Sequence, residues 1–67
     1  MGREVQVAPQ VEAAMERLAV ARHDMPEVLL RCDPDAVVAA LEKTGGDPHR
    51  LTAEPDGSVI VWNGPVW

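Results

Sequence analysis

The chain has 67 residues, 46% of them apolar, and a formal charge of −5 from eleven acidic and six basic side chains. That length gives one small domain, residues 1–67, near the lower limit of independent stability. The acidic balance argues against nucleic acid as a partner, since that affinity comes from Lys and Arg neutralising phosphates. No apolar run approaches the roughly 20 residues of a membrane-spanning helix, so no membrane partner is expected.

Phe and Tyr are absent and only two Trp are present, so the core must be built from Val, Leu, Ala and Met. Cys32 is the only cysteine, which excludes an internal disulfide. So thin a core predicts that a protein partner, or a second copy in a homo-oligomer, completes the buried surface. The N-terminus lacks the charged-then-apolar pattern of a signal peptide. With an unpaired thiol, the expected location is cytoplasmic.

In chain order, Arg3 to Val7 alternates polar and apolar and predicts a short strand with Val5 and Val7 on one face. Pro9 suits the first position of a helix running to about His23, with Val11, Ala14, Met15, Leu18 and Ala21 as its apolar stripe. Asp24-Met25-Pro26 breaks that pattern and leads into a short helix from Pro26 to about Arg31, with Val28, Leu29 and Leu30 turned inward. Asp33 is a good N-cap and Pro34 a good first residue for the next helix, and Asp35 places negative charge in its first turn. Val37, Ala40, Leu41 and Thr44 share a face before Gly45-Gly46 stops the helix.

Arg50 to Glu54 and Val59 to Trp62 alternate like strands around Pro55-Asp56-Gly57-Ser58, a turn signal with Gly57 in the left-handed position. The expected register sets Leu51 opposite Val61 and Ala53 opposite Val59. The order is β-α-α-α-β-β, an α+β fold with a three-stranded antiparallel sheet and helices packed on one face. Its expected core is Val11, Met15, Leu18, Val37, Leu41, Leu51, Val59 and Val61.

The same register puts Ile60 and Trp62 on the face away from the helices, beside Arg50, Thr52 and Glu54. Asn63-Gly64-Pro65 is able to turn the chain so that Val66 and Trp67 reach that side. Ile60, Trp62, Val66 and Trp67 are therefore the candidate interaction residues, with tryptophan as the anchor type that dominates many interfaces.

Chemistry is harder to place. Cys32, His23 and His49 show no metal-ligand spacing, and Asp33 and Asp35 are explained by capping. Cys32 precedes a helix N-terminus, yet free cysteines are mostly buried packing. Gly45-Gly46 follows a helix instead of opening one, so it is a stop and not a phosphate cradle. The expectation is a non-enzymatic protein with no cofactor and no metal.

Arg31-Cys32-Asp33-Pro34-Asp35-Ala36-Val37 resembles the corner and recognition-helix start of regulators in the mercury-resistance-regulator and excisionase group. That resemblance implies a winged helix-turn-helix, with helix 34–44 as the recognition helix and 54–58 as the wing. The residues oppose it: the helix would offer Asp35, Ala39, Glu42 and Lys43 to DNA, and the wing Glu54 and Asp56. The reading favoured by the residues is a small acidic protein–protein interaction module: an accessory subunit, inhibitor, adaptor or assembly component.

Overall fold

Proline at the first helical position costs no hydrogen bond, and helix α1, Pro9–Arg17, begins there in the computed structural model, which describes residues 7–62. Val11, Ala14 and Met15 are its buried face. The expected run to His23 stops at Arg17, because Ala19 takes a left-handed φ of 58°. The Ala19 N–H donates to the Glu16 carbonyl (3.2 Å) and the Val20 N–H to the Met15 carbonyl (2.8 Å), closing the helix in a Schellman motif. Beyond it the chain is extended at Ala21, and Arg22–Asp24 forms one 3-10 turn. An L-residue held left-handed costs about 1–2 kcal/mol. Ala19→Gly is therefore expected to stabilise the protein by about 1 kcal/mol, less the extra unfolded-state entropy of glycine, and a raised thermal midpoint checks it.

Helix α2, Glu27–Leu30, is a single turn entered through Pro26. One turn has room for one fully inward side chain, and Leu29 takes it at 1% exposure. Val28, expected inward, instead faces water at 60% exposure, and Leu30 is half-buried. Met25, read from the sequence as part of a break, is in the core.

Helix α3, Pro34–Thr44, matches its sequence signals closely. The Asp33 carboxylate accepts from the Asp35 N–H at 3.3 Å, and Val37, Ala40 and Leu41 are buried. Gly45 is left-handed (φ 68°), and the Gly46 N–H donates to the Leu41 carbonyl at 2.9 Å, so α3 also ends in a Schellman motif. At the start of α1, the Gln10 amide donates to Asp35 (3.0 Å), while at its end Arg17 pairs with Glu42 (3.2 Å). The same sequence offset at both ends means that α1 and α3 lie side by side and run in the same direction. Helix α3 is the hub, touching α1, α2 and the hairpin.

A 3-10 turn, Pro48–Arg50, follows, capped by Asp47 accepting from the His49 N–H at 3.0 Å, with Pro48 buried. Strands β1, Leu51–Ala53, and β2, Val59–Val61, pair antiparallel with Leu51 opposite Val61, Thr52 opposite Ile60 and Ala53 opposite Val59. That is the register expected from the sequence. The Gly57 N–H donates to the Glu54 carbonyl (3.0 Å), the Glu54 N–H to the Ser58 carbonyl (2.8 Å), and Gly57 has φ 92°. This is a three-residue loop closed by a left-handed glycine. The Gly57 carbonyl then accepts from the Asp33 N–H at 3.1 Å, tying the hairpin tip to the start of α3.

The fold is α+β, with a two-stranded antiparallel sheet among the described residues. The strand expected at Arg3 to Val7 lies outside them except for Val7, which belongs to no strand. The core centres on Leu29, Val37 and Leu41, with Val11, Ala14, Met15, Met25, Ala40 and Leu51 around them. Leu18, Val59 and Val61, expected as full core members, are half-buried against it, because the ends of α1 and the narrow sheet offer little cover.

Candidate functional site

Alternation in the hairpin divides its side chains between two faces. Leu51, Ala53, Val59 and Val61 pack toward the core. Arg50, Thr52 and Glu54 from one arm, with Ser58, Ile60 and Trp62 from the other, form the outer face. Ile60 is 46% and Trp62 56% exposed there, so the sequence-predicted apolar residues of this face are open to solvent. The ladder continues one step past β2, with the Trp62 N–H donating to the Arg50 carbonyl at 2.8 Å.

Pairing with Arg50 makes Thr52 the diagonal neighbour of Trp62, within reach of a long side chain. The indole Nε1–H donates to the Thr52 hydroxyl, so the ring leans across β1. With its only polar atom satisfied, the indole presents hydrocarbon to water. Val66 and Trp67, the other two candidate interaction residues, lie outside the described residues.

No known family model matches this sequence, and no characterised protein or solved structure shows significant similarity to it. Function must therefore be argued from the side chains themselves.

Cys32 is half-buried, and its thiol donates to the Val28 carbonyl at 3.3 Å. Burial, and then the negative charge of Asp56, push the thiol above its ordinary pKa. That is the reverse of what a nucleophilic cysteine needs. Asp56 is itself held below the usual carboxylate range, since its carboxylate accepts from the Ser58 hydroxyl (2.6 Å) and the Ser58 N–H (2.9 Å). His23 sits 3.4 Å from Asp24, and His49 belongs to the exposed 3-10 turn. Among the described residues no three His, Cys, Asp or Glu side chains converge as a metal site would require. No helix among them is long and apolar enough to cross a membrane.

The face that a recognition helix would turn to DNA carries Asp35, Ala39, Glu42 and Lys43, all exposed. Asp35 accepts from Gln10 and Glu42 pairs with Arg17, so this face is committed to neighbouring side chains and is net acidic.

One feature was not legible in the sequence. An open groove of about 590 Å³ runs beside β1, with Val28, Arg31 and Cys32 on one wall and Leu51 to Pro55 on the other. It exists because α2 and β1 approach without closing. The only sequence signal for it would have been Val28, an apolar residue on a helix too short to bury two neighbours.

Proposed function

We propose that this chain is a small, acidic, cytoplasmic protein-contact module without catalytic chemistry of its own, meeting a protein partner through the outer face of its hairpin. Ile60 and Trp62, with Val66 and Trp67 of the C-terminal tail, are the contact residues of this reading. One observation carries it: two large apolar side chains, Ile60 and Trp62, stand exposed side by side on a sheet face while the helices pack on the other. On so small a surface a bare indole and an isoleucine are costly unless a partner covers them. The raised thiol pKa of Cys32 supports the absence of nucleophilic chemistry, and the unpaired thiol supports a reducing compartment.

Capture from the protein's own cell extract tests the reading. The parent protein is expected to retain a protein partner, and Trp62→Ser to lose it while keeping the parent's helical circular dichroism. Trp62 is 56% exposed and lies outside the buried core, so the helices do not depend on its side chain. Undiminished capture by the variant would remove the outer face as the contact surface.

A further inference from the structure

The two ladder bonds that flank the strands, Trp62 N–H to Arg50 carbonyl and Glu54 N–H to Ser58 carbonyl, fix which backbone groups face outward. In an antiparallel pair hydrogen-bonded and non-bonded positions alternate. The bonded positions are Arg50, Thr52 and Glu54, so Leu51 and Ala53 turn their peptide groups away from β2. The Leu51 N–H is taken by the Pro48 carbonyl. The Leu51 carbonyl and both peptide groups of Ala53 point to the edge of β1 away from β2, where no backbone group among the described residues pairs with them. That edge is the one bordered by the groove, whose other wall carries the exposed Val28.

We propose that the occupant of this edge is a second copy of the same chain, with β1 paired antiparallel to the partner's β1 about a two-fold axis at Thr52. This goes beyond the protein-contact reading above, since the pairing uses the edge of β1 and leaves the outer face with Ile60 and Trp62 free for a protein partner. The choice of occupant comes from the charge pattern of the strand. An antiparallel pairing centred on Thr52 sets residue 51 opposite residue 53 of the other copy, and residue 50 opposite residue 54. The first match lets the Ala53 N–H of each chain donate to the Leu51 carbonyl of the other. The second places Arg50, whose guanidinium pairs with Asp47 at 3.5 Å in the single chain, against Glu54 twice, once on each side of the axis and on the same face of the sheet. Opposite charges directly across an antiparallel pair attract, and like charges in those places repel. An isologous interface requires a surface complementary to itself, and this strand satisfies that requirement residue by residue.

The consequences fit the rest of the site. Both indoles lean over β1 toward Thr52, so pairing brings them to the same seam and joins the two outer faces into one four-stranded sheet. The incoming strand also covers Val28, which is 60% exposed in the single chain. An exposed edge strand is a template for pairing, and here the template is filled by its own copy.

Two single substitutions and their mixture test the pairing by sedimentation velocity at low ionic strength. The parent is expected to sediment as a dimer. R50E alone and E54R alone each set like charges opposite on both sides of the axis, and each is expected to weaken self-association by about tenfold or more. Mixed in equal amounts, the two variants place an acidic residue opposite a basic one at every crossing, and association is expected to return as a heterodimer. That recovery cannot come from a folding defect in either variant. A monomeric parent, undiminished dimers of either variant, or a mixture that stays monomeric would each overturn the proposal. A monomeric parent that still captures a different protein from extract through Trp62 would overturn only the self-pairing and leave the contact reading standing.

Discussion

Leu41→Ala is expected to bring the protein close to unfolding at room temperature. Leu41 is fully buried on α3, the helix that touches both other helices and the hairpin. Truncating a buried leucine costs about 2–5 kcal/mol, with the high end where the site cannot collapse. Helix α3 packs against α1 and β2, which are held to it by an ion pair and the hairpin tie, so collapse is restricted. A domain of this length has a total stability of roughly 3–10 kcal/mol. The thermal midpoint should fall by at least about 10 °C, and circular dichroism melts read it directly. A variant that melted with the parent would place the packing centre elsewhere, on α1 or the hairpin.

The elements that the sequence announced were those whose signals are local. Asp33-Pro34-Asp35 starts α3 and Gly45-Gly46 ends it, because capping and left-handed glycine act through the nearest residues alone. Pro55-Asp56-Gly57-Ser58 set the hairpin register for the same reason, and with the register came the exposure of Ile60 and Trp62. The outer face is therefore encoded in local signals of the sequence. Its lean toward Thr52 is not, since that depends on which positions carry the ladder bonds.

Where tertiary structure decides, the sequence misled. Leu18 and Ala21 continue the helical spacing of α1, and alanine is the strongest helix former, so nothing local marks Ala19 as the terminus. The left-handed turn there lets Val20 and Leu18 meet Gly46 at the end of α3, which is a long-range cause. Val28 and Leu29 are equally apolar, and a one-turn helix gives no periodicity to say which points inward. Met25 stands alone between Asp24 and Pro26, with no apolar periodicity around it, and only tertiary packing puts it in the core. The groove beside β1 is a gap between two elements, and no residue pattern encodes a gap.

The meeting of the two helix ends yields the second large effect. Gly46 has φ 92°, and a Cβ there would stand 2.9 Å from the Leu18 Cβ, 3.0 Å from the Val20 Cγ2 and 3.1 Å from the Leu18 carbonyl oxygen. Neither the Leu18 Cβ nor its carbonyl oxygen belongs to a flexible tip, so relief requires the C-terminal turn of α1 to move away from that of α3. The left-handed backbone costs about 1–2 kcal/mol and overpacking about 1–3 kcal/mol, so Gly46→Ala is expected to lose about 2–5 kcal/mol in all. Gly45→Ala is the matched control, with φ 68° and open space around its Cβ, and should lose only the left-handed penalty of about 1–2 kcal/mol. Chemical denaturation of the three proteins separates the two contributions. Equal losses for the two alanine variants would mean that the helix ends do not hold each other, and that only the backbone conformation at Gly46 matters. A loss at Gly46 well beyond that at Gly45 would establish the contact of the two Schellman turns as the clamp that keeps α1 and α3 parallel, and so holds α3 beneath the hairpin.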